Sequence, residues 1–207
     1  MNSKKENTEE KIIDAARTIF VKKGMDGARM QEIADEAGIN KALLHYYFRS
    51  KEKLFDAILG QIIRIAFPKI SSIITSEDDF KSKLVKFIDA YLDILHKHPF
   101  LPGFVIKEVN RDASLFFKLI KSHGFNPVPV FTKIQEAMDR GEIIQMRPEH
   151  LVANVISLCV FPLAAKPIIE FVGFDGDQKA TKQFYAERKE VVKTFVLNAI
   201  LVKPQST

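Results

Sequence analysis

The chain of 207 residues has one cysteine and no tryptophan. A lone thiol, Cys159, excludes a disulfide framework and a cysteine-rich metal site, and a reducing cytoplasm is the expected setting. Residues 1–10 are polar and charged instead of a basic head followed by an apolar run, so no secretory signal is expected. Long hydrophobic runs are also missing. The most apolar stretch, 151–174, is interrupted by Asn154, Pro162, Lys166, Pro167 and Glu170; a spanning helix needs about 20 mostly apolar residues, so this stretch is expected to be a buried helix, with no membrane partner. Phosphate-cradling loops of the GxGxxG or GxxxxGK[ST] kind, a GxSxG elbow and HExxH spacing among the five histidines are all absent. Asp89 and Asp93 stand one turn apart, but two acids on a solvated helix face are commoner than a catalytic pair. The imidazoles of His96 and His98 would splay apart on a helix, which argues against a zinc site. No enzyme, cofactor or metal is expected.

Strand-like alternation and internal repeats are scarce as well, and what is present instead is helical periodicity, so the expected fold class is all-α. The apolar fraction of 46% is ample for a core, and the length suits one small and one larger domain. Thr8 before Glu9 and Glu10 reads as a helix cap, after which Ile12, Ile13, Ala16, Ile19 and Phe20 form a stripe that Gly24 ends. A short second helix spans about 29–37, Gly38 provides a sharp exit, and Asn40 caps a third helix. Ser50 caps a fourth, which Pro68 is expected to kink or stop. Ser76 to Asp79 resembles a capping box for a fifth helix that Pro99 closes. Helices near 100–110, 113–122 and 128–140 come next, then one opened by Pro148 that is apolar nearly all round. The last helix, about 177–202, carries Phe184, Val191, Val192, Phe195, Val196, Ala199 and Ile200 as a strip too wide for one contact. A core on one side and a second subunit on the other would cover it.

Charge by itself decides little. The net charge is +5 with a pI near 9.2, and the first 53 residues hold eleven basic against nine acidic residues, net +2. An anionic partner would have to be held by the placement of these charges. The placement is suggestive in the two short helices joined by Ala37-Gly38-Ile39-Asn40, which match the helix-turn-helix pattern. In the second of them Leu44, Tyr47 and Phe48 share the inward face, while Ala42, Leu43, His45 and Tyr46 are expected to point outward.

The run from Ile12 to Phe55, ending in Lys41-Ala42-Leu43-Leu44-His45-Tyr46-Tyr47-Phe48-Arg49-Ser50-Lys51-Glu52, resembles the DNA-binding domain of TetR-type (tetracycline-repressor-like) regulators. The resemblance covers about the first 60 residues. It implies a helix-turn-helix DNA-binding domain over residues 1–52, a helical ligand-binding and dimerisation domain over 53–207, and a homodimer formed by the last two long helices. Carried over by position, it implies base or phosphate contacts from Gln31, Lys41, Ala42, Leu43, His45 and Tyr46. Lys51 takes a phosphate-contact position, where a helix N-terminus and an ammonium suit an anion. The chain departs from the family at Leu43, where a small threonine-like residue is common, and at His45, at a tyrosine position. Leucine cannot hydrogen-bond a base edge but can pack on a thymine methyl.

The resemblance further implies release from a palindromic operator by a small apolar or amphipathic effector, with repression as the default. For that effector Phe87, Tyr91, Phe104, Phe117, Phe131 and Asn154 are the candidate lining, with Asn110 and His123 as further polar groups, although a core role is the ordinary fate of each aromatic. Two rivals stay open: a helical adaptor whose N-terminal motif binds protein and whose ligand sensing is lost, and an enzyme built on the aromatic cluster.

Overall fold

Stripes of apolar residues at three- and four-residue spacing yield helix after helix. The computed structural model describes residues 2–124 and 126–202, which are helical apart from short connections and one isolated bridge between Ile143 and Leu201. The helices are α1 (Asn2–Gly27), α2 (Met30–Glu36), α3 (Lys41–Tyr47), α4 (Lys51–Thr75), α5 (Phe80–Lys97), α6 (Leu101–Ser122), α7 (Val128–Asp139), α8 (Pro148–Ala164), α9 (Lys166–Ile168) with a π-helical turn over Ile169–Gly173, and α10 (Gln178–Ile200).

The chain divides into two compact units, one holding residues 2–66 and 98–124 and the other 67–97 and 126–202. Residues 53–66 fall in the same compact unit as residues 2–52. The cause is Phe55, whose ring meets Phe20 of α1 at 5.9 Å and stacks on Phe104 of α6. The first 16 residues of α4 bury Leu54, Phe55, Ile58, Leu59, Ile62, Ile63 and Ala66 in this core, together with Ile12, Ala16, Ile19 and Phe20 of α1 and Ile33 of α2. Each fully buried aliphatic or aromatic side chain contributes about 1.5–3 kcal/mol.

Within the same unit α4 and α6 approach closely at Gly60. The His123 imidazole sits so near that a Cβ on Gly60 would lie 2.9 Å from its Cε1. Glycine is required there by space, not by backbone conformation. His123, a candidate polar group for an effector by sequence, is thus packed against a helix backbone.

In the second unit α5, α7, α8 and α10 enclose Leu84, Ile88, Leu92, Ile134, Met138, Leu151, Val155, Cys159, Val192 and Val196. The buried face of α8 runs Leu151, Val155, Cys159, Pro162, whereas Leu158 is only half-buried. Cys159 therefore shares a face with Leu151 and Val155, two turns on, and not with Val152 and Ile156.

Several expected boundaries move. Thr8 does not open the first helix: α1 begins six residues earlier, and the side chains of Lys4 and Lys5, further candidates for phosphate contacts by sequence, lie outside the described residues. Pro68 does not stop α4, which continues to Thr75; the residue is exposed, so the hydrogen bond it removes from the ladder is lost on the solvent side, where water can replace it. The cap of α5 is Asp79 and not Ser76, because the Ser82 amide and hydroxyl donate to the Asp79 carboxylate at 2.9 and 2.8 Å while the Ser76 hydroxyl is engaged with Ile73 and Asp78. Asp112 interrupts α6 with φ −158° and ψ 91°, as the expected separation of two helices there requires. By length and composition α4 is long and apolar enough to cross a membrane, which the stretch 148–173 matches only as two segments bent by 72°. The buried face of α4 is that of a core helix.

Candidate nucleic-acid interface

The turn between α2 and α3 is built by local hydrogen bonds. Gly38 has φ +66°, its amide donates to the Asp35 carbonyl at 3.1 Å, and the Ile39 amide donates to Ala34 at 3.0 Å. This pair of bonds satisfies the last carbonyls of α2 and requires the left-handed backbone that glycine adopts without strain. Two residues later Asn40, in extended conformation, accepts the Leu43 amide on its Oδ1 at 2.8 Å and so starts α3. Tight exit and capped entry together fix where α3 points relative to α2.

The burial pattern of α3 separates its faces. Leu44 is 0% exposed and Phe48 is buried, anchoring the helix on the core of the unit. Lys41, Ala42, Leu43, His45 and Tyr46 are all exposed, Leu43 by 37% and Tyr46 by 71%. An apolar and an aromatic side chain are thus held out toward solvent on a helix of seven residues. Tyr47, expected inside, is only half-buried and meets Tyr46 edge-on at 5.5 Å, because Leu44 and Phe48 occupy the inward positions.

The remaining residues of the expected set are placed less simply. Gln31 is exposed on α2, its amide donating to Asp35 at 2.8 Å. The Lys51 ammonium donates to the carbonyls of Asp26 and Ala28, both at 3.3 Å, which stitches the start of α4 to the α1–α2 connection and leaves one of its three donors for another acceptor. Asp26 in turn pairs with Lys107 of α6, and that hydrogen bond, with the positive charge behind it, holds the Asp26 carboxyl below its ordinary range. The Glu32 carboxyl is likewise lowered, chiefly by Lys23, whose ammonium it meets at 2.9 Å. Arg29 and Arg49, also exposed, flank the helix pair; the basic run through Arg49 and Lys51 is the signal that could have added Arg49 to the set.

The residues expected to line an effector site are divided between the two units. Phe104 and Phe117 belong to the first unit, where Phe104 is spent on Phe55 and Phe117 is half exposed. The other four belong to the second unit. Phe87 and Tyr91 stack there with centroids 5.5 Å apart and planes 12° apart, Phe131 is half-buried, and Asn154 is exposed. Burial, with Cys159 nearby, pushes the Tyr91 hydroxyl up to about 12, so it acts as a neutral hydrogen-bonding group. Asn110 is exposed. Among the described residues no cluster of histidine, cysteine and carboxylate side chains is dense enough to hold a metal ion.

Residues 12–58 match the family model for bacterial regulatory proteins of the tetR family. The chain is 32% identical over 192 residues to the HTH-type transcriptional regulator RutR of Escherichia coli O157:H7, covering 91% of this chain and 88% of that one. It is 27% identical over 162 residues to the "Probable HTH-type transcriptional regulator YttP" of Bacillus subtilis, covering 76% and 78%. In fold it is similar to the TetR-family regulator PfmR of Thermus thermophilus, with a TM-score of 0.67 at 15% identity over 91% of this chain and 97% of that one. The chain belongs to the TetR family of helix-turn-helix transcriptional regulators, and it is a DNA-binding protein and not an enzyme.

Proposed function

We propose that this regulator acts as a homodimer on a palindromic operator, represses from it, and is released by a small apolar or amphipathic effector. The observation that carries the reading is α3 itself: Leu44 anchors it, and Lys41, Ala42, Leu43, His45 and Tyr46 stand out from the surface behind a turn whose geometry is fixed. In this assignment Leu43 packs on a thymine methyl, His45 and Tyr46 meet base edges or sugar, and Gln31, Lys41 and Lys51 position the phosphates.

Two features support the dimer. On α10 Val192, Val196 and Ile200 are buried while Val191, Phe195 and Ala199 are exposed, Phe195 by 63%, and Phe161 of α8 is exposed as well. Apolar surface of this kind marks an interface, and a two-fold pair of α8 and α10 would cover it. Recognition helices in such dimers lie one DNA turn apart, about 34–36 Å. For the effector, the stacked Phe87 and Tyr91 with half-buried Phe131 supply the apolar wall, and the neutral Tyr91 hydroxyl supplies a polar group. The DNA-bound role sets the protein in the cytoplasm.

Selection of bound sequences from a random DNA pool tests the proposal. The expected result is an inverted repeat with half-site centres about 10–10.5 base pairs apart or a multiple of that, and binding that weakens steeply with salt. An enriched motif without two-fold symmetry would remove the dimeric reading, and no enrichment at all would favour the protein adaptor.

A further inference from the structure

A second feature of the first unit has no place in that reading. Between α1 and α4 lies an open groove of about 390 Å³ lined by Glu10, Ile13, Asp14, Arg17, Gln61, Arg64 and Ile65. Its volume is at the small end of ligand pockets. Ile13 is buried and forms an apolar wall, while Ile65 is 71% exposed at the rim.

The charges in the groove are unevenly used. Arg17 donates to Asp14 at 3.2 Å and to Gln61 at 2.6 Å, which consumes Asp14 and ties the two helices together. The Arg17 Nε is sealed from solvent with no acceptor among the described residues. Arg64 and Glu10 line the same groove, are exposed, and among the described residues their side chains have no hydrogen bond or ion pair. One guanidinium and one carboxylate are therefore left over, beside apolar surface. A guanidinium presents its donors in the fork that a carboxylate fits, and a carboxylate accepts an ammonium.

We propose that this groove binds a small zwitterion, a molecule bearing one carboxylate and one ammonium on a short apolar frame, with Arg64 holding the carboxylate and Glu10 the ammonium. Arg17 is a positioning residue that keeps the walls together, and Ile13 and Ile65 pack on the frame. Both walls belong to helices that flank α2 and α3 in the chain. The site stands independently of the operator and effector assignments above.

Isothermal titration of the full-length protein with three probes tests it: L-leucine, 4-methylpentanoate, which lacks the ammonium, and 3-methylbutylamine, which lacks the carboxylate. The expected result is saturable binding of leucine at one site per chain, with each single-charge analogue about tenfold weaker or more, the loss of one charge-assisted contact. Arg64→Ala is expected to weaken leucine about tenfold while leaving the amine unchanged, and Glu10→Gln to weaken leucine while leaving 4-methylpentanoate unchanged. Both side chains are exposed, so an unchanged melting temperature confirms that each variant is folded. No saturable leucine binding, equal affinity for the three probes, or unchanged leucine affinity in either variant overturns the proposal.

Discussion

The Arg188 guanidinium donates from Nη2 to the backbone oxygen of Leu158 at 2.8 Å. In an unbroken helix that oxygen would accept the amide of residue 162, which is a proline and has none. A side chain of α10 therefore repairs the gap that Pro162 opens in α8. Tyr185, one turn earlier on α10, donates its hydroxyl at 2.8 Å to the Pro162 carbonyl in the last turn of α8. Arg188 also lies over the Phe184 ring, 5.4 Å from its centroid, and burial pushes its pKa down.

Replacing Arg188 by methionine is expected to destabilise the protein by about 1–3 kcal/mol, the cost of a partly buried carbonyl left without a donor. In a Pro162→Ala background the restored amide can take the Leu158 oxygen, so the same replacement should cost distinctly less. Urea denaturation of the two single variants and the double variant measures the difference; strictly additive losses would show that Arg188 does not serve that carbonyl.

Leu43→Ala removes an apolar contact and no hydrogen bond. The expected effect is a loss of preference at one A·T pair worth about 1 kcal/mol, roughly fivefold in affinity, with the other positions unchanged. Competition binding against operators substituted one base pair at a time reads this directly. An unaltered preference profile would place Leu43 away from the bases.

Phe195→Asp sets a charge on the exposed side of α10, away from the buried Val192 and Val196. Helical content should persist while the particle sediments as a monomer, and operator binding should fall at least about tenfold as the two reading heads lose their link. A dimer surviving this substitution at micromolar concentration would exclude α10 from the interface.

Cys159 is buried, and burial raises its thiol from 9.0 to about 11. In the unfolded chain the thiol ionises first, so this group's contribution to stability is constant below about pH 9 and declines between about 9 and 11. A disulfide reagent at about pH 8 should accordingly modify the native protein only at the rate of its opening and the denatured protein at once. Immediate reaction of the native thiol would contradict its burial.

Most helices were legible because the signals for them are local. Gly38 after an apolar stripe, Asn40 ahead of α3, Asp112 inside α6, and Asp177, which caps α10 by accepting the amides of Lys179 and Ala180, each act within four residues of themselves. The outward set on α3 was legible for the same reason, since alternation of buried and exposed positions on one helix needs no partner to predict. The errors fall where a distant group or the solvent intervenes. Pro68 has the local signature of a stop, but a helix continues past a proline when water can reach the ladder gap, and exposure at that position is a tertiary property. Ser76 to Asp79 has the local pattern of a capping box opened by the serine, and only the actual hydrogen bonds make Asp79 the cap. The partner of Phe104 is equally a tertiary matter: its ring stacks on Phe55 of α4, 49 positions earlier in the chain.

Residue order alone determined an all-helical chain, a glycine-turned pair of short helices and the identity of the side chains that stand out from the second of them, because helix periodicity and capping are properties of neighbours in sequence. Tertiary structure alone decided that α6 shares a core with the N-terminal helices, that Arg188 completes α8, and that Glu10, Arg17 and Arg64 line one groove. Those relationships join residues that lie several helical turns to several helices apart in the chain, 30 positions for Arg188 and Leu158 and 81 for Lys107 and Asp26. No local preference of the backbone specifies which distant side chain will arrive to fill a gap or leave one open.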